Sequence, residues 1–340
     1  MQTIGNLFTI LIFISAFGGL FTLSLLFAAK VLKLEIPFWV NVMEILFYLL
    51  PFVASNIKLI PPEEQLWTAG FWVAYKIWFA GVIVFLLFFI VLRYLLAWIA
   101  VKKFAFCDDQ RIRDIFTKCS SEAGLKKAPE LMTGNIGGPA CAIALRNDKV
   151  ILSENFPGCL SDDEIAMILA HELIHIKRKH LPLQKVYDVL CCFHWFNPFI
   201  WIARNDFSVS CEIDCDSKIL SLSGGNIKAR DYASVMLKLM ELSSVRRKAG
   251  INGMGAMDYL IAKQRFQRIL KKPSTPRCIA GAAAGAILIA LTLYCSVSMS
   301  RTFFYPYSAH TGKTELSGHY AGRSGRYNEQ YAERREQYEQ

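Results

Sequence analysis

No charged side chain occurs between Met1 and Ala29, and none between Ile279 and Val297. The first of these runs exceeds the roughly 20 residues that span a bilayer. It also lacks the basic leader of a secretory signal, so it reads as an uncleaved membrane span. Charge is scarce throughout: 19% of the 340 residues are charged and 54% are hydrophobic, a balance that excludes an ordinary soluble globular chain. No disulfide framework is expected either. Eight of the ten cysteines, Cys107 to Cys215, fall in a region that the charge pattern below assigns to the reducing side of the membrane.

The apolar runs suggest four spans, at about 4–29, 36–57, 71–100 and 278–297. Trp67, Trp72 and Trp98 stand near the ends of the third, where interfacial aromatics belong. Lys30 and Lys33 follow span one, Lys102 and Lys103 follow span three, and Lys271, Lys272 and Arg277 precede span four. The connection between spans two and three instead sets Lys58 beside Glu63 and Glu64. The positive-inside rule then puts the amino terminus and the segment 298–340 outside and residues 101–277 in the cytoplasm, in a multi-pass protein of the cytoplasmic (inner) membrane. The net charge of +10 is thereby a signature of membrane topology, and no direct nucleic-acid binding is expected.

Two details inside the spans carry expectations. Glu44 and Arg93 each lie about eight residues from a cytoplasmic helix end, so equal depth predicts that they pair. Gly281 and Gly285 form a small-xxx-small face in span four, suited to close packing within the chain or in a homodimer.

The segment 101–277 has the length of one domain. A helix is predicted from Gln110 to Ala123, then "CAIALRNDKVILSE" reads as two β-prone runs turning at Asn147-Asp148. Its edge is either a place for an extended substrate to add as a strand or merely a covered hairpin. "SDDEIAMILAHELIHIKR" reads as a helix opened by a capping box of Ser161 and Glu164. On it His171 and His175, four apart, share a face, with Glu172 beside the first. Two such imidazoles suit zinc, and the glutamate suits a general base toward an activated water.

A third ligand is required. On a continuing helix His180 falls roughly 140° away from His175, which assigns it to the helix end and not to the metal. The metzincin pattern needs glycine at 178 and histidine at 181, where the chain has Arg178 and Leu181. Glu212, 37 positions after His175 on a helical segment, is the better candidate. Asp216, one turn on, would accept the free N–H of a ligand histidine, with His171 as its expected partner. Asp214 is a weaker candidate for that role. Cys211 and Cys215, also four apart, keep a thiolate site open.

"ILAHELIHIKRKH", "HWFNPFIWIARND" at His194 to Asp206 and "CEIDCD" at Cys211 to Asp216, set between three spans and a fourth, resemble the BlaR/MecR-type membrane metallopeptidases over residues 1–297. The resemblance implies an α-helical membrane protein with four transmembrane helices and a cytoplasmic, mainly α (α+β) gluzincin-like zinc metalloprotease domain. It implies one zinc ion on His171, His175 and Glu212, with Glu172 catalytic. It further implies peptide-bond hydrolysis in signalling, on a cytoplasmic regulatory protein such as a transcriptional repressor. A membrane quality-control protease and a catalytically silent receptor or scaffold are the rival readings. Two departures stand out. Residues 298–340 are rich in Tyr, Arg, Glu and Gln and contain no Ser-x-x-Lys tetrad, so they are expected to be disordered and β-lactam acylation there is not expected. His180 stands where that family usually has an acidic residue, a change expected to matter little.

Overall fold

The computed structural model describes residues 2–54, 69–136, 138–144, 147–154, 157–222, 227–248, 256–270 and 275–304. The charged connection around Lys58, Glu63 and Glu64, the lysines at 271 and 272, and the polar segment from 305 onward lie outside the described residues.

The membrane part comprises α1 (Gln2–Lys30), α2 (Phe38–Ala54), α3 (Ala69–Phe85), which runs through a π-helical stretch Leu86–Leu92 into α4 (Arg93–Val101), and α11 (Thr275–Phe304). Among the described residues, three stretches are long and apolar enough to cross a membrane: Phe8–Lys30, Trp72–Val101 and Thr275–Cys295. The last two turn most of their apolar surface outward, including Ile77, Phe88, Leu96, Ile287 and Leu291. Water would penalise so much exposed hydrocarbon; lipid does not. α2 is 17 residues long within the described chain, shorter than those three. Its inner face does not meet lipid, because Ile45 and Tyr48 form one core with Tyr187, Leu190, Ile200 and Phe207.

Strands β1 (Ala105–Phe106), β2 (Glu130–Gly134), β3 (Ala140–Ala144) and β4 (Asp148–Ser153) form a sheet in the order β1-β2-β4-β3. β2 and β4 are parallel, and the two outer pairs are antiparallel. The β3–β4 hairpin turns between Ala144 and Asp148, and β3 is an edge strand. β4 is buried on both faces. Val150 and Leu152 join the core of α5 (Gln110–Glu122) and α6 (Asp162–Lys177), while Ile151 packs on Val101 and Met132.

α6 starts where Ser161 accepts from the Glu164 amide and the Glu164 carboxylate accepts from the Ser161 amide. Asp162, Asp163 and Glu164 occupy its first turn, where the helix dipole favours negative charge. It ends at Lys177. Lys179 then takes a left-handed conformation (φ 57°), a cost of about 1–2 kcal/mol for a side chain with a Cβ, and α7 (His180–Phe193) begins in a new direction. α8 (Pro198–Leu222), α9 (Ala229–Lys248) and α10 (Ala256–Leu270) complete the domain.

The "HWFNP" segment between α7 and α8 is wedged among the membrane helices. Asn197 donates to the Ser15 carbonyl and hydroxyl, both at 2.8 Å, and His194 Nε2 lies 3.2 Å from the Tyr48 carbonyl. Trp195 donates to the Trp78 carbonyl and Trp78 to the Phe193 carbonyl. Gly81 leaves room for the Trp195 ring, which a Cβ there would strike.

This insertion overturns the expected Glu44–Arg93 pair. Glu44 accepts from Thr22 at 2.5 Å and from Tyr187 at 3.2 Å. Arg93 lies 3.5 Å from Asp188 instead. Tyr187 and Asp188 are consecutive on α7, which stands between α2 and α4 and supplies each charged group with its own partner. The small face of α11 is likewise occupied within the chain, since Gly281 abuts the Glu35 backbone and Gly285 the Val40 side chain.

Candidate metal centre

α6 brings His171, Glu172 and His175 to one side of a cleft of about 560 Å³. α8 brings Glu212 to the same place. The three candidate donor side chains stand as a triangle in which Glu212 faces each histidine with a different carboxylate oxygen. His171 Nε2 and His175 Nε2 are 3.2 Å apart, Glu212 Oε2 is 3.3 Å from the first, and Glu212 Oε1 is 3.4 Å from the second. A tetrahedral ion with bonds of about 2.0–2.1 Å separates its ligand atoms by about 3.3–3.4 Å. The two imidazoles are thus spaced as zinc ligands are, and the carboxylate beside them completes a donor set whose chemistry suits zinc.

Cys215 is the competing donor, its sulfur lying within 4.8 Å of ring nitrogens of both histidines. It is fully buried, and burial together with Glu212 and Asp216 pushes its thiol far above the ordinary range, so the thiolate form is strongly disfavoured in the metal-free site. Cys211 is buried in the α2–α7–α8 core, apart from the triangle. Among the described residues every cysteine is a free thiol.

Behind the triangle stands a network that sequence reasoning found only in part. Asp216 Oδ1 lies 3.4 Å from His171 Nδ1, in the place expected of it. Tyr232 of α9 shares the position: its hydroxyl donates to Asp216 at 2.8 Å and stands 3.2 Å from His171 Nδ1. Arg265 of α10 clamps Asp216 through Nε at 2.9 Å and Nη2 at 2.8 Å, and reaches Glu212 Oε2 through Nη1 at 2.8 Å. Neither Tyr232 nor Arg265 belongs to a motif with ligand spacing, and Arg265 is 49 positions from Asp216. The one available signal was the mixture of polar and apolar residues in "DYASVMLKLM" and "KQRFQRIL". Asp214 does not back His171; it pairs with Arg178 at 2.8 Å and lies 3.2 Å from His180 Nε2.

The electrostatics suit a dication. With the carboxylates ionised and both histidines neutral, as metal ligands must be, Glu172, Glu212 and Asp216 carry three negative charges and Arg265 one positive, a balance of −2. Burial opposes the charge on Glu212, but His171, Arg265 and His175 hold its carboxyl well below the usual range. Burial likewise opposes charge on Asp216, yet Arg265 and His171 bring it down to about 2. His171 rises to about 9 despite burial, because Asp216 and Glu212 face it. His175 falls to about 3 through burial and the charge on His171. Burial pushes Glu172 up from its ordinary value, countered in part by His171.

Glu172 is oriented from the sheet, since the Ala142 amide on edge strand β3 donates to its Oε2 at 2.7 Å. The cleft is walled by apolar side chains, among them Met167, Leu181, Met236, Leu239, Met240 and Ile261.

The geometry defines a class: a mostly helical, membrane-associated chain in which a His-Glu-x-x-His helix faces a cleft, with a glutamate and a cysteine close to its two histidines. The match to known proteins is narrower. The chain belongs to the BlaR1 peptidase M56 family, whose pattern covers residues 20–269. It is 28% identical over 150 residues to the methicillin resistance mecR1 protein of Staphylococcus aureus, covering 43% of this chain and 24% of that one. It is 24% identical over 168 residues to the regulatory protein BlaR1 of Bacillus licheniformis, covering 49% of this chain and 28% of that one. The matched segment thus spans about a quarter of the length of these relatives.

Proposed function

We propose that this chain is a zinc endopeptidase of a membrane, cutting a regulatory protein on the cytoplasmic side. The donor triangle of His171, His175 and Glu212, with Glu172 beside it, carries that reading. A zinc ion bound there would supply a Lewis acid and a water ionisable near neutral pH. Glu172, held by the Ala142 amide and raised in pKa by burial, takes a proton at its carboxylate and returns it to the leaving amine. Edge strand β3 offers backbone groups along which an extended substrate adds, and the apolar cleft wall receives its side chains.

In this reading α2 is a fourth crossing, the domain spans residues 101–277, and the basic loops put it in the cytoplasm. The relatives, a methicillin-resistance protein and a regulatory protein, support a regulatory substrate, such as a transcriptional repressor. The small face of α11 gives no support to a homodimer through that helix, because residues of this chain already cover it.

The test compares membranes of cells expressing wild type or Glu172→Gln, profiled by mass spectrometry for new protein termini. Termini that arise only with wild type identify a protease and its substrate. Matching profiles from two zinc-bearing proteins favour the silent receptor.

A further inference from the structure

The left-handed turn at Lys179 has a chemical consequence. It halts α6 and swings His180 back under His175. The two rings meet edge to face with centroids 5.1 Å apart, and their Nδ1 atoms are 3.3 Å apart. His180 is fully buried, with the ring of Phe38, the first residue of α2, tilted against it at a centroid distance of 5.0 Å. Its far nitrogen, Nε2, lies 3.2 Å from Asp214 Oδ2, off the straight line of an ideal hydrogen bond. Arg178 fixes Asp214 from the other side through Nε at 2.8 Å and Nη2 at 3.2 Å.

The protons along this row order themselves. His175 points Nε2 into the donor triangle, so that nitrogen must keep its lone pair free for an ion and Nδ1 carries the hydrogen. Nδ1–H then donates to the lone pair of His180 Nδ1. That acceptance places the His180 hydrogen on Nε2, facing the Asp214 carboxylate. The arrangement repeats, one ring longer, what stands behind His171: there a carboxylate, Asp216, is clamped by Arg265; here a carboxylate, Asp214, is clamped by Arg178. Cys215, its sulfur 3.4 Å from His180 Nδ1, is a weak donor that competes for this one lone pair, and the imidazole N–H is the stronger of the two.

The geometry points to His180 as a positioning residue for His175: with Asp214 and Arg178 it fixes the tautomer and ring orientation that present Nε2 to the metal. This rests on the metallopeptidase reading above. Outer partners of this kind typically change metal affinity roughly 10–100-fold when removed.

The test uses the full chain in detergent, stripped with a chelator and titrated with zinc chloride against a fluorescent competitor. His180→Leu fills the space without an acceptor and should weaken zinc binding roughly 10–100-fold. His180→Asn places a carbonyl oxygen near the former Nδ1 and should stay within a few-fold of wild type. Asp214→Asn, at the outer end, should give a smaller loss, and thermal unfolding of the metal-free proteins shows whether each variant remains folded. Equal losses for His180→Leu and His180→Asn mean that His180 only fills space, and overturn the proposal. So does wild-type affinity in both His180→Leu and Asp214→Asn. If His180→Leu fails to fold, Asp214→Asn decides alone: a loss supports the relay and wild-type affinity overturns it. A wild type that holds no zinc removes the metal-site reading itself, and the proposal with it.

Discussion

Arg265 grips Asp216 with two nitrogens and turns its third toward Glu212, so one cation holds together a carboxylate of the donor triangle and the carboxylate behind it. Asp216 is buried and Glu212 partly buried, one helical turn apart on α8. Without Arg265 they would repel each other in a medium that screens poorly. Arg265→Leu should therefore destabilise the metal-free protein by about 3–5 kcal/mol, the usual cost of leaving buried charge unpaired. Zinc should restore much of that loss, since it supplies the missing positive charge. Thermal unfolding with and without zinc checks this; an equal drop in both states would show that Arg265 acts only through packing.

Proton competition sets the pH dependence of metal binding. Asp216 and Glu212 keep His171 protonated up to about pH 9 in the metal-free site, whereas His175 stays neutral down to about pH 3. A metal must displace the His171 proton, so apparent zinc affinity should rise about tenfold per pH unit between roughly pH 6 and 8. The folded His171 pKa lies above its unfolded value. Its contribution to metal-free stability is thus complete below about pH 6.5 and is lost as pH rises through about 9. Zinc titrations at several pH values measure the slope, and a flat profile would contradict it.

The partners of Glu44 and Arg93 give opposite expectations for two similar substitutions. Glu44→Gln keeps one oxygen to accept from Tyr187 and turns its NH2 toward Thr22, whose hydroxyl can accept while donating to the Gly18 carbonyl, so its effect should be small. Asp188→Asn removes the charge that serves Arg93 at 3.5 Å and Arg204 at 2.5 Å, and should cost about 1.5–3 kcal/mol. Expression level and thermal unfolding in detergent rank the two variants. A larger defect for Glu44→Gln would overturn the assignment of partners.

Gly81 tests the joint between membrane and domain. Its missing Cβ is the space filled by the Trp195 ring, whose indole also bonds Trp78 on the same helix. Gly81→Ala should push α3 from the "HWFNP" segment and cost about 1–3 kcal/mol, as overpacking does elsewhere. Gly158, where an added Cβ meets nothing within 4 Å, serves as the control.

What the sequence made legible followed local rules. The His171–His175 spacing, the Ser161–Glu164 capping box and the β3–β4 hairpin are set within a few residues of themselves; the first two took their expected form, and the hairpin formed with Asp148 already paired to Ala144 in β4 and not in the turn. Glu212 and Asp216 were reachable because helical spacing relates them to each other. Tyr232 and Arg265 were not, because they enter from separate helices with no periodic tie to the site. His180 was misjudged for a definable reason. The 140° argument assumes that α6 continues to residue 180, and the left-handed Lys179 ends that assumption one residue earlier. The Glu44–Arg93 pairing failed because counting depth along two helices says nothing of a third, α7, lying between them.

The identity of the third ligand is the centre of the account, and X-ray absorption at the zinc edge of the loaded full-length chain reads it directly. The expected spectrum shows only nitrogen and oxygen neighbours at about 2.0–2.1 Å. A sulfur neighbour at about 2.3 Å would place Cys215 on the metal and contradict the assignment of Glu212.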